Sequence, residues 1–138
     1  MEKVLIVDDN RASRDLIRAI LKPVRCNTIE ASNGQQALDL LCHERPDLVL
    51  LDIDMPGLDG LTVVKTIRQD AAFASLPVVA VTAFAMEGDR EKAIAAGFTA
   101  YVTKPVRAAI LRQQVRQLLG AAPEGKDHGT PSCNGRRD

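Results

Sequence analysis

The sequence has no tryptophan and only four other aromatic residues, Phe73, Phe84, Phe98 and Tyr101. That is too few for the stacking platforms that hold single-stranded nucleic acid. It has no excess of either charge: 18 Lys and Arg stand against 18 Asp and Glu. The balance excludes a nucleic-acid binder that works through bulk positive charge. No apolar run approaches the roughly 18 residues a membrane span requires. Met1-Glu2-Lys3 ahead of four apolar residues is no signal peptide. The three cysteines, Cys26, Cys42 and Cys133, lack CxxC spacing, and their odd number argues against a closed disulfide framework. The expectation is a cytoplasmic protein of a reducing compartment, with neither nucleic acid nor membrane as a partner.

The 138 residues suit one domain with a sizeable core. Residues 120–138 differ from the rest: they hold four of the nine glycines, two prolines and no large aliphatic residue. Burial there cannot offset the entropy of ordering. The expected division is a folded domain over 1–119 and a flexible, disordered tail over 120–138. Within the domain, continuous apolar runs alternate with amphipathic stretches. The runs are 4–7, 48–51 and 78–81, with weaker ones near 28–31 and 100–103. Runs apolar on both faces suit parallel strands covered by helices. Between them, helical stripes are formed by Leu16, Ile17, Ile20 and Leu21; by Ala37, Leu38, Leu41 and Cys42; by Leu61, Val64 and Ile67; and by Leu111, Val115, Leu118 and Leu119. A stretch over 87–96 offers mostly alanine plus Ile94. Five strand–helix alternations predict an α/β fold with a five-stranded parallel sheet, doubly wound with five helices.

Ligands of open parallel sheets bind beyond the carboxyl ends of the strands. Here the first strong run ends in Asp8-Asp9, the third strand in Asp52 and the fourth in Thr82-Ala83, and Lys104-Pro105 follows the fifth. A parallel sheet brings these groups to one rim. Carboxylates so crowded repel one another, so either their pKa values rise or a cation is held between them. All-oxygen ligands suit Mg²⁺. A lysine and a threonine opposite the metal provide the positive charge and the donor that phosphoryl oxygens need. Phosphoryl chemistry therefore follows from the constellation. Each part alone has a plainer reading: the Asp8-Asp9 pair as a helix cap, Asp52 as a strand end, Thr82 as a strand residue, Tyr101 as edge packing and Lys104 as a solvated charge.

Four segments, VLIVDDN (4–10), LVLLDIDMPGLDG (48–60), PVVAVTAFAMEGD (77–89) and AYVTKP (100–105), resemble the response-regulator receiver domain, the CheY-like family. The likeness spans about residues 2–119 and looks most like the DivK group of single-domain regulators and the receivers of hybrid histidine kinases. It implies the flavodoxin-like strand order 2-1-3-4-5. It also implies that Asp52 is the phospho-acceptor, that Asp8, Asp9 and Asp52 hold Mg²⁺, and that Asp54 adds its main-chain carbonyl. Lys104 and Thr82 would contact phosphoryl oxygens, helped by backbone N–H groups near Ile53 and Ala83. Thr82, Tyr101 and Pro105 would form the switch, with a cis Lys104–Pro105 bond, and Pro56 and Gly57 would shape the loop after the acceptor. Asp54 and Phe84 depart from commoner family choices.

The resemblance further implies a switch rather than an enzyme: a response regulator of a two-component phosphorelay, phosphorylated by a histidine kinase or a histidine phosphotransfer protein, acting as a monomer or weak dimer. A protein effector is expected on the 87–119 face, where Lys92, Lys104, Arg107, Arg112 and Arg116 make the charge basic, while Asp47, Asp52, Asp54 and Asp59 make 46–64 acidic. Two alternatives stand beside it. One is a Mg²⁺-dependent phosphohydrolase of the haloacid-dehalogenase type, suggested by Asp52-Ile53-Asp54, although there the acidic pair follows rather than precedes. The other is a receiver excised from a hybrid kinase, against which Met1 directly before the first strand favours a free-standing protein. A flavodoxin-like cofactor carrier fails for want of a phosphate-cradling loop after the first strand.

Overall fold

The computed structural model describes residues 2–55, 60–83 and 88–121. The elements run β1 (Glu2–Val7), α1 (Arg11–Ile20), β2 (Cys26–Ala31), α2 (Gly34–Glu44), β3 (Leu48–Asp52), α3 (Gly60–Gln69), a 3-10 turn (Ala71–Phe73), β4 (Val78–Thr82), α4 (Asp89–Ala96), β5 (Ala100–Thr103) and α5 (Ala108–Ala121). The strands form one parallel sheet in the order β2-β1-β3-β4-β5. This is the expected α/β architecture. None of the described helices is long and apolar enough to cross a membrane.

The three strong apolar runs are the three inner strands. Their alternate residues feed two cores, one on each face of the sheet. Leu5, Val7, Val49, Leu51, Val78 and Ala80 meet the buried sides of α2, α3 and α4. Val4, Ile6, Leu48, Leu50, Val79 and Val81 meet Ile17 and Ile20 of α1 and Leu111 and Val115 of α5. The edge strands β2 and β5 are only partly buried, which explains their weaker apolar signal.

The helical stripes differ from expectation in three places. Leu16 is 53 % exposed and Ile94 is 44 % exposed, whereas Val63 is fully buried. A short helix turns only a narrow stripe to the sheet, so apolar residues at the stripe's margin face water. Helix α5 continues through Gly120 and Ala121, two residues into the segment set apart on composition. The remainder of that segment lies outside the described residues. Cys42 is half-buried against the α2 side of the sheet. Cys26 is a free thiol.

Two close approaches hold the functional end of the sheet. A Cβ on Gly60 would lie 2.6 Å from Ile53 Cα, so the start of α3 presses directly on the backbone beyond Asp52. Arg68, near the end of α3, donates to Gly97 O at 2.9 Å and Phe73 O at 2.8 Å, which ties α3 to the turn between α4 and β5. Gly97 has φ +124 and leaves room for the Arg68 stem. Gly60→Ala is expected to destabilise the protein by about 1–3 kcal/mol through overpacking against a backbone that cannot yield. The measurement is the urea midpoint at unchanged slope.

Candidate functional site

Parallel pairing brings the carboxyl ends of β1, β3, β4 and β5 to one rim, and each carries a polar residue. Val7 pairs with Leu51 and Asp52 with Val81, so Asp8 and Asp52 emerge side by side. Both are buried, 1 % and 3 % exposed, while Asp9 is exposed. Backbone contacts hold these ends in place. The N–H of Asp8 donates to Ala31 O at 3.1 Å, that of Ile53 to Val81 O at 3.0 Å, and that of Lys104 to Thr82 O at 2.8 Å.

The Lys104 ammonium reaches both buried carboxylates. Nζ lies 3.2 Å from Asp52 Oδ2 and 3.3 Å from Asp8 Oδ2. The remaining oxygens accept from the chain: Asp8 Oδ1 from Asn10 N at 2.9 Å, and Asp52 Oδ1 from Asp54 N at 2.9 Å. Asp8, Asp9 and Asp52 can each offer one oxygen so that all three lie within 4.8 Å of one another. Hard oxygen donors at that spacing fit a small divalent cation.

Charge in this crowded, desolvated corner shifts the titrations. Burial is the largest cause raising the Asp52 carboxyl above its ordinary value; the Asp54 N–H opposes it, the Asp8 carboxylate adds to it, and Lys104 opposes it. For Lys104, burial works against the charged form, but Asp52 and Asp8 outweigh it and hold the ammonium above the usual lysine value. Burial raises the Tyr101 phenol, with Asp89 and Asp54 adding to the effect.

The structure brings together Asp8, Asp9, Asp52, Lys104, Thr82 and Asp54 at one rim, as expected. The Lys104–Pro105 bond is cis, and Tyr101 sits half-buried on β5, paired with Ala80. The helix-cap reading of the acidic pair is excluded: Asn10 caps α1, accepting from Ser13 N. Pro56, Gly57 and Phe84 lie outside the described residues. Two details differ from expectation. The Ile53 N–H is committed to β4, because sheet pairing runs one residue past the end of β3. Asp54 contributes more than a main chain, since its carboxylate accepts from Thr82 Oγ1, 3.0 Å from each oxygen, and from Ala83 N at 2.8 Å. Sequence reasoning also missed Arg14, which donates to Asp8 O at 2.6 Å and pairs with Glu30.

The description "Response regulator receiver domain" matches residues 4–116. The chain belongs to this family. Receiver domains are phosphoacceptors of two-component signalling, and that is the function of this one. The polar-differentiation response regulator DivK of Brucella anthropi is 40 % identical over 121 residues, covering 88 % of this chain and 98 % of that protein. Two solved structures are similar to this receiver. One is the receiver domain of a sensor histidine kinase from Pseudomonas aeruginosa, with a magnesium ion coordinated in its active site cleft (TM-score 0.79, 31 % identity, 87 % of this chain and 98 % of that one). The other is the chemotaxis protein CheY4 of Vibrio cholerae (TM-score 0.80, 25 % identity, 86 % and 98 %). The phosphohydrolase alternative finds no support in these likenesses.

The raised Asp52 value sets a pH dependence. An acid raised on folding binds more protons in the folded state than in the unfolded, so its contribution to stability falls as pH rises through the carboxylate range. Lys104 acts in the same direction at alkaline pH: its contribution is full below the ordinary lysine value and is lost as pH rises through the raised one. Asp52→Asn keeps an acceptor for the Asp54 N–H. Without divalent cation it is expected to have a higher urea midpoint than the parent receiver at pH 7. The gap closes as pH falls below the carboxylate range.

Proposed function

We propose that Asp52 receives the phosphoryl group, and that the carboxylates of Asp8, Asp9 and Asp52, with the main-chain carbonyl of Asp54, hold Mg²⁺ beside it. The observation that carries this reading is the single ammonium of Lys104 reaching two buried carboxylates from different strand ends. When bound, the cation neutralises the carboxylate cluster and the incoming phosphoryl oxygens. A carboxylate oxygen of Asp52 attacks the phosphorus of a phosphohistidine on a kinase or phosphotransfer protein. The O–P bond forms as the P–N bond breaks, and the imidazole nitrogen keeps the bonding pair and takes a proton from solvent. Lys104, already between Asp8 and Asp52, follows the new negative charge, and burial strengthens its pull. The Thr82 hydroxyl and Ala83 N–H supply two more donors at the end of β4.

Phosphorylation adds about −1.5 to −2 charges at pH 7, which draws Lys104 and Thr82 toward Asp52. Thr82 leads through β4 and β5 to Tyr101, and Pro105 follows Lys104 at the same rim. The face of α4, β5 and α5 reads this rearrangement. There Ile110 is 45 % exposed beside Arg90, Tyr101 and Arg107, and Arg112 and Arg116 extend the basic surface along α5. An effector protein carrying acidic side chains fits that face. The receiver works in this reading as a switch in the cytoplasm, and its own catalysis is limited to gaining and slowly losing the phosphoryl group.

Incubated with acetyl phosphate and Mg²⁺, the receiver is expected to gain one alkali-labile phosphoryl group, read by intact-mass spectrometry, and Asp52→Asn none. Equal labelling of Asp52→Asn refutes the assignment. Mg²⁺ should also raise the melting temperature by mass action, and Asp9→Ala should abolish most of that rise, as measured by calorimetry across a Mg²⁺ titration.

A further inference from the structure

A phosphoryl group on Asp52 presents three terminal oxygens, and each needs a donor or a cation. The donors that the described residues offer at this rim are the Lys104 ammonium, the Thr82 hydroxyl and the Ala83 N–H. Lys104 is already shared by Asp8 and Asp52. The other two both face the Asp54 carboxylate: Thr82 Oγ1 lies 3.0 Å from each oxygen, and Ala83 N lies 2.8 Å from Oδ2. Asp54 is therefore anchored across the gap between two strands. Its own N–H donates to Asp52 Oδ1 at 2.9 Å, and its side chain reaches over to the end of β4. Thr82 is buried while Asp54 is exposed, so the acid comes from the water side and rests on donors that belong to the site.

We infer that the Asp54 carboxylate is an internal competitor for the phosphoryl group. In the unphosphorylated receiver it occupies the Thr82 hydroxyl and the Ala83 N–H, and a phosphoryl group on Asp52 gains those donors only when the Asp54 side chain withdraws. The inference rests on the proposal that Asp52 is the acceptor. The two anions cannot share the seat, because one hydroxyl proton and one amide proton cannot serve both, and their charges repel. Withdrawal sends an exposed carboxylate into solvent, where it is fully hydrated, so competition slows phosphorylation without blocking it. Asp54 is thus a positioning residue. It holds Thr82 turned toward the rim before any phosphoryl group arrives, and it sets how readily one is accepted.

The test uses the whole chain with acetyl phosphate as the donor. The Asp52 O–P bond forms as the P–O bond to the acetyl group breaks, and acetate leaves with the bonding pair. Labelling rates at limiting acetyl phosphate and fixed Mg²⁺ are compared for the parent receiver, Asp54→Asn, Asp54→Ala, Thr82→Val and the double variant Asp54→Ala with Thr82→Val. Asn keeps a carbonyl acceptor for the same two donors but loses the charge; Ala loses both. Competition predicts that Asp54→Ala labels roughly tenfold faster, the scale of a single hydrogen bond to a charged acceptor, with Asp54→Asn between it and the parent. In the Thr82→Val background, where one contested donor is gone, the gain from Asp54→Ala should shrink to about threefold or less. A readout independent of phosphorylation is the Ala83 amide proton in nitrogen-15 correlation spectra without Mg²⁺ or donor. Loss of its carboxylate partner should move it upfield in Asp54→Ala, and less so in Asp54→Asn.

The inference is overturned if Asp54→Ala labels no faster than the parent, if Asn and Ala label equally fast, if the gain is undiminished in the Thr82→Val background, or if the Ala83 amide does not move. Each of those results leaves Asp52 as the acceptor. Failure of the underlying reading is distinct: there the parent receiver takes no label, or Asp52→Asn takes as much.

Discussion

One lysine placed between two buried carboxylates is the contact on which the rest of this receiver depends. Asp8 and Asp52 are withdrawn almost completely from water, where an unpaired charge would be strongly unfavourable. Lys104 compensates part of that burden, and backbone N–H groups at Asn10 and Asp54 satisfy the other oxygens. The three partners are 44 or more residues apart in the chain, and only parallel strands with covered faces bring them together. The doubly wound sheet is thus the means by which scattered residues become one charged site. Because two buried carboxylates and the exposed Asp9 outnumber the single ammonium, the cluster retains a negative excess suited to a cation.

The residues that position the site act through backbone more than through side chains. Ile53 is held by β4 and pressed by Gly60, and Lys104 is tied to Thr82 by its main chain. The acceptor strand is therefore fixed from both sides. Thr82 illustrates the division: its carbonyl anchors Lys104, while its hydroxyl is turned to Asp54. Backbone and side chain of one residue link the cation of the site to the acid that overhangs it.

Much of this arrangement is legible in the sequence because the inner strands are buried on both faces. Val4–Val7, Leu48–Leu51 and Val78–Val81 can be read as strands without further context, and each ends in a residue whose chemistry has no use for a core. The edge strands were harder to read, since β2 carries Asn27, Thr28 and Glu30 on a half-exposed edge. Leu16 and Ile94 were misassigned because apolar periodicity does not reveal how wide a stripe the sheet covers. The Asp54 contact was not legible at all. An acidic residue two places after Asp52 is visible in the sequence, but its partners sit 28 and 29 residues on, at the end of a different strand. Only the register of β3 against β4 places them opposite.

Helix α4 shows how little of a helix the core has to claim. Of its eight residues only Ala93 is fully buried, and Arg90, Glu91, Lys92, Ile94 and Ala95 face solvent. Nothing in the core constrains the identity of those side chains. Mutation can therefore rewrite that exposed surface side chain by side chain, while the carboxylates and lysine at the sheet's rim stay in place. In evolutionary terms the solvent side of α4 can drift without the acid cluster at the sheet's rim having to be rebuilt.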